Sequence, residues 1–229
     1  MTEFIRRRGL SLAVVVLVTS AISLAQGSIS YTVAFGALNG PIGFSLATLT
    51  EIGYGIRWAV VAVMTALWLL RKKRPLFVLV IVVNVFSTLA LLMHTVFLTI
   101  VLAGLSLNTA GELLLDVVLM ATSNILVFSV WYWLIDPPGI DEEAEDSGRW
   151  AFLFPQRADT IPGFEDWRPR YTDYLFTAFT TSFAFSPTDA LPLTRIAKLL
   201  MALQAAISLV TLTGIAASAI NILAGASTR

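Results

Sequence analysis

Glu112 and Asp116 stand four residues apart, so on a helix both carboxylates share one face. Arg57 and His94 are further ionisable residues inside long apolar runs. Ionisable side chains are costly at membrane depth, and there they pair or serve an ion or proton path. These four are expected to form one buried cluster. In the structural version Arg57 pairs with Asp116 or Glu112 and ties helices together. In the functional version the cluster is an ion-coordinating vestibule or a proton relay, since an imidazole titrates near neutrality. A second suggestive run is Thr180, Thr181 and Ser182, three consecutive hydroxyls able to ring a cation path. The chain has no cysteine and one histidine. That excludes disulfides, thiolate metal sites and cysteine nucleophiles, and it argues against a histidine metal cage or a catalytic triad. No phosphate loop, dinucleotide fingerprint, nucleophile elbow or zinc motif occurs. No enzyme activity, no cofactor and no nucleic-acid partner are expected.

The elements that must position these residues are membrane helices. Hydrophobic residues make up 57% of the 229, charged residues 13%, and the mean hydropathy is +0.80. A soluble domain is nearer ~25% charged, so this chain lacks the charge to cover a water-facing surface. Runs of about 20 apolar residues are needed to span a bilayer. Residues 52–70, 76–105, 110–135 and 194–223 qualify. Residues 9–25 read as a first span; three arginines before them and Ser23-Leu24-Ala25 at their end also fit a signal peptide. Residues 26–50 are broken by Asn39-Gly40-Pro41 and read as a loop with an interfacial piece, with a sixth span as the alternative. The expectation is an all-α polytopic protein of five spans, or six, plus one short re-entrant helix before the last span. Residues 1–108 are the N-terminal membrane helices. Residues 109–229 hold an outer helix, a polar loop, the re-entrant helix and an inner helix.

Lys and Arg collect on the cytoplasmic side. Arg6, Arg7 and Arg8 put the N-terminus inside. Arg71-Lys72-Lys73-Arg74 put the loop after the second span inside too. The loop after the fourth span then also falls inside, with Arg149, Arg157, Arg168 and Arg170, and the C-terminus ends outside. Within that loop, residues 141–146 are an acidic run that reads as a solvated segment. Trp150, Phe152, Phe154 and Trp167 read as aromatics at headgroup level. Asp173 is placed to cap a helix beginning near Tyr174, which Pro187 would end. Asn84, Asn124, Gln204 and Asn221 read as hydrogen-bond glue between helices. In the last span Ala202 with Ala206, and Gly214 with Ser218, would let helices approach closely.

A short apolar helix, a break and a full span make the last third resemble a potassium-channel pore module. The residues that carry this are Tyr174-Leu-Phe-Thr-Ala-Phe-Thr-Thr-Ser-Phe-Ala-Phe185, then Ser186-Pro-Thr-Asp189 and a long apolar helix. Thr180 and Thr181 match the two filter threonines; Ser182, Phe183, Ala184 and Phe185 fall where Val-Gly-Tyr-Gly would stand. Phenylalanine replaces both glycines, whose backbone angles a bulky residue resists, so a potassium-type ring of carbonyls is not expected. A hydrophobic constriction with a hydroxyl ring is. The loop also enters from the cytoplasmic side, the reverse of potassium channels but as in glutamate-receptor channels. The whole chain resembles a family of uncharacterised bacterial integral membrane proteins, through Asp173, Phe179, Thr180, Ser186, Asp189 and Asn221. The resemblance implies a multi-pass protein of the prokaryotic inner membrane. Its expected function is a homo-oligomeric cation pore, tetrameric if channel-like, that passes monovalent cations. The alternative is a non-conducting scaffold or accessory subunit.

Overall fold

The computed structural model describes residues 10–29, 46–103, 110–136, 150–158, 162–164, 167–184 and 190–227. In chain order these form α1 (Leu10–Ser28), α2 (Leu46–Leu69), α3 (Lys73–Ala103) and α4 (Ala110–Ile135). There follow β1 (Phe152–Leu153), α5 (Pro155–Ala158), α6 (Tyr171–Ala184), β2 (Leu191–Pro192) and α7 (Arg195–Ser227). The protein is mostly helical. Among the described residues its one departure from all-α is a two-residue antiparallel ladder that pairs Phe152 with Pro192 and Leu153 with Leu191. Among the described residues three helices are long and apolar enough to cross a membrane, within α3, α4 and α7. The apolar stretches described in α1 and α2 are shorter, Ala13–Gly27 and Gly55–Leu69.

α4 is the hub and packs against α1, α3, α6 and α7. Phe128, Ser129 and Val130 are three consecutive buried residues, so the second half of this helix is enclosed all round, while Leu115 and Val118 on its first half are exposed. α3 runs antiparallel to it. Asn84 Nδ2 donates to the Val127 carbonyl at 3.2 Å, Trp131 Nε1 donates to Thr88 Oγ1 at 2.8 Å, and the Phe77 and Trp133 rings lie 6.1 Å apart. α7 is also antiparallel to α4. Gln204 meets Tyr132 near one end, and near the other a Cβ on Gly214 would stand 3.3 Å from Val117 and 3.2 Å from Leu98. Gly214 and the buried Ser218 therefore bring helices together within this chain, while Ala202 and Ala206 are exposed. One consequence is sidedness. The starts of α3 and α7 and the end of α4 share one end of the bundle, which carries Arg71, Lys72, Lys73, Arg74, Arg195 and Lys198, all exposed.

Local signals explain the boundaries. α2 closes with Lys72 N–H bonded to the Leu67 carbonyl at 3.0 Å and Arg71 N–H to that of Trp68 at 3.1 Å. This paired pattern needs a left-handed residue at its centre, and Arg71 takes it with φ 56°. α3 starts two residues later, so half of the basic run belongs to its first turn. Thr194 caps α7, accepting from Ala197 N–H at 3.1 Å. α6 begins at Tyr171, three residues earlier than the sequence suggests. Asp173 is its third residue rather than its cap, and its carboxylate reaches back to Arg170 N–H at 2.6 Å, the reciprocal half of a capping box.

Two of the four loop aromatics face the protein rather than headgroups, while Trp150 and Trp167 are half-buried. Phe152 and Phe154 are buried in the protein core. Phe152 packs on Tyr132 (5.1 Å between centroids), and Phe154 on Trp167 and Tyr174 (5.6 Å each). Residues 150–158 thus fold as a cap across the basic end, stitched to the start of α7 by the ladder and by Leu193 N–H to the Ala151 carbonyl at 2.8 Å. The acidic run 141–146 lies outside the described residues.

Candidate functional site

α6 has 14 residues, about 21 Å at 1.5 Å per residue, too short to cross. It starts at the basic end, where the Tyr174 hydroxyl bonds to Asp136. It ends between α4 and α7, where Ser182 and Phe183 share a groove with Ala121, Ile125, Ser208 and Thr211. Those α7 positions are at the middle of the apolar span Arg195–Ile220. By Leu191 the chain is back at the basic end, in the ladder with Leu153. α6 therefore enters the bundle to mid-depth and the chain returns to the same side.

A buried polar chain holds α6 in place. Gln204 of α7 is wholly enclosed. Its Nε2 donates to the Ala178 carbonyl at 2.7 Å and to Ser182 Oγ at 2.8 Å, which uses both amide hydrogens. Its Oε1 accepts from the Tyr132 hydroxyl of α4. Asn124 Nδ2 donates to Ser208 Oγ at 2.8 Å and to the Gln204 carbonyl at 3.3 Å. Ser129 and Tyr171 share a hydroxyl bond of 2.5 Å. The predicted glue residues Asn84, Asn124 and Gln204 do join helices; the Asn221 side chain lies outside the described residues.

The densest polar node lies at the end of α4. Asp136 Oδ1 accepts from the backbone N–H of Ala151 (2.7 Å) and Phe152 (3.2 Å). Its Oδ2 accepts from Arg157 Nη1 (3.0 Å) and the Tyr174 hydroxyl (2.6 Å). The ion pair is enclosed, with the Arg157 side chain 5% and the Asp136 side chain 0% exposed. The Arg157 guanidinium also stacks over the Trp150 ring at 4.8 Å. This node was not anticipated from the sequence. A signal was there: Asp136 directly follows a helix C-terminus, where the macrodipole disfavours an anion, so donors must be brought to it from elsewhere.

Burial, and next the Asp136 carboxylate, push the Tyr174 phenol well above its ordinary value; burial does the same for Tyr171. A raised folded-state pKa means stability is intact below the unfolded value of ~10 and falls as pH rises above it. Each buried phenol then costs up to ~1.4 kcal/mol per pH unit above 10. The melting temperature in detergent should drop steeply between pH 10 and 11, and Tyr174→Phe should make that drop shallower. An unchanged slope in the variant would remove Tyr174 from the alkaline transition.

The remaining predicted residues are placed as follows. Thr181 and Ser182 are buried; Thr181 donates to the Thr177 carbonyl of its own helix at 2.7 Å. Thr180 is half-buried and also bonds within α6. Phe183 and Ala184 are exposed at its tip, and Phe176, Phe179 and Phe183 form one outward face. Phe185, Ser186 and Asp189 lie outside the described residues. His94 and Asp116 are buried in α3 and α4. The Arg57 guanidinium lies over Gly27 of α1, where a Cβ would stand 2.2 Å from Nη1, and its charge acts on His94. The Glu112 side chain lies outside the described residues. Among the described residues, no three His, Asp or Glu side chains come together to hold a metal ion.

Among the described residues, the fold and site define a mostly helical protein with three helices long and apolar enough to cross a membrane and a short helix packed between two of them. No protein-family model, no curated protein and no solved structure matches this chain.

Proposed function

We propose that this chain is a five-span protein of the prokaryotic inner membrane, N-terminus inside, that assembles as a homo-oligomeric channel-like pore for monovalent cations. The observation that carries the reading is the α4–α6–α7 arrangement: a short helix seated to mid-depth between two long apolar helices. Non-helical backbone at that depth is tolerated only inside protein or beside a water-filled path. One copy of a re-entrant helix closes no ring, so several copies around an axis are needed. Thr181 and Ser182 are turned into the protomer, so the proposed lining begins at the exposed tip, Phe183 and Ala184. A phenylalanine neck gates by dewetting.

The second reading, a non-conducting scaffold or accessory subunit, is favoured by one specific observation. The hydroxyls best suited to meet an ion are engaged in internal bonds, Thr181 with Thr177 and Ser182 with Gln204. Cation flux in liposomes, measured beside native mass, separates the two. A pore conducts as an oligomer, and Phe183→Ala widens the neck and raises the flux. A scaffold shows empty-liposome flux for wild type and variant alike, with a lower melting temperature for the variant. Sidedness is tested separately in this cysteine-free chain. Cysteines at Lys73 and Ala144 should be shielded from an impermeant thiol reagent in intact cells, and one at Ser227 labelled.

A further inference from the structure

The first turn and a half of α7 has an exposed arc of two chemistries. Arg195 and Lys198 are exposed, as are Ile196 (63%) and Leu199 (71%). At ~100° per residue, these four side chains cover roughly 160° of the helix, basic on one half and apolar on the other. Ala197, Met201 and Gln204 occupy the opposite side and are buried. Leu191 (60%) and Leu193 (49%), just before the helix, are exposed as well. Neither the Arg195 guanidinium nor the Lys198 ammonium has a bonded partner among the described residues, unlike the enclosed Arg157. α7 has no acidic residue in its first turn to balance them. The arc also continues directly into the apolar span Arg195–Ile220, so it falls where headgroups meet acyl chains.

We infer that this arc binds an anionic phospholipid, its phosphate held between Arg195 and Lys198 and its acyl chains lying along Ile196 and Leu199. Charge complementarity selects an anionic headgroup over a zwitterionic one. The adjoining aliphatic row selects a lipid over a free phosphate, because a soluble anion would leave that row in water. Long basic side chains suit the place, since they can lay their stems on apolar surface and hold their charges in the headgroup layer. The inference does not depend on conduction and applies equally to a pore and to a scaffold.

The test uses the full chain in a neutral detergent, titrated with phosphatidylglycerol, with phosphatidylcholine or with inorganic phosphate. Retained lipid is read by native mass spectrometry and thermal protection by melting. Wild type should retain phosphatidylglycerol over phosphatidylcholine and gain no protection from inorganic phosphate. Near an anionic surface each basic residue is worth roughly fivefold in affinity. Arg195→Gln with Lys198→Gln should therefore lower phosphatidylglycerol affinity by about 25-fold and leave phosphatidylcholine binding unchanged. Both side chains are exposed, so the variant should melt like wild type without lipid. Arg71→Gln with Lys72→Gln, at the same end of the bundle, should keep the preference. Equal retention of the two lipids by wild type, protection by inorganic phosphate alone, or a double variant that keeps its preference would each overturn the assignment.

Discussion

Asp136→Ala should cost the protein about 3–5 kcal/mol, because it strands a buried guanidinium in the way that breaking any enclosed ion pair does. Four donors converge on this one carboxylate: two backbone N–H groups, Arg157 and Tyr174. An alanine takes this acceptor from all four behind the aromatic wall of Phe152, Phe154 and Tyr174, and leaves the Arg157 guanidinium the neutral Phe152 carbonyl at 3.3 Å in place of a carboxylate. The cap over the basic end should come loose before the helices do. Trypsin would then cut at Arg157 or Arg170 in the variant under conditions where wild type is intact. Arg157→Leu should be milder, since Asp136 keeps three of its four donors. The two changes together should cost less than their sum, the mark of a shared interaction. Additive losses, or an Asp136→Ala variant whose cap resists trypsin as wild type does, would mean that the node is not what fastens the cap.

The helices were legible in the sequence because their signals are local and redundant. The last two long spans begin and end within a few residues of their hydropathy limits: Ala110–Ile135 is matched at both ends, and the last helix runs four residues further. The basic clusters at Arg71 and around Arg195 likewise foretold a shared end of the bundle. What stayed hidden depends on contacts made across distance. Nothing local marks Phe152 as core rather than headgroup aromatic. Its burial follows from Asp136 drawing the 150–158 segment inward and from the pairing of Phe152 with Pro192, forty residues away. The start of α6 was misjudged for a related reason. Asp173 has the composition of a cap, but Pro169 and Arg170 before it allow the helix to begin earlier, with Asp173 bonding backwards. The hydroxyl run was visible; which way it faces was not. That is decided by Gln204, a residue whose sequence neighbours are all apolar or small.

Gln204 also sets the second large effect. Gln204→Met keeps the side-chain length and removes three hydrogen bonds at mid-depth: two donated to α6 and one accepted from Tyr132. Single bonds between membrane helices average ~0.6 kcal/mol and reach ~1.7. Three would sum to about 2–5 kcal/mol, and the higher part of that range applies here. The Tyr132 hydroxyl and Ser182 Oγ each lose a buried partner, and an enclosed polar group left short of partners carries a desolvation cost. Gln204→Glu is the discriminating companion. At this depth it would be held protonated, so it offers one donor instead of two and should fall between wild type and Gln204→Met. Loss of the anchor frees the inner face of α6 as well as lowering the melting temperature. A cysteine at Ser182, buried in the parent, should then react with a thiol reagent in Gln204→Met and stay protected in the parent background. The outcome bears on function too. If α6 is a pore element, releasing it should alter cation flux and melting together; if it is a structural wedge, melting falls and flux stays at the empty-liposome level. A Gln204→Met protein that melts with wild type and keeps position 182 protected would show that packing alone holds α6 in place.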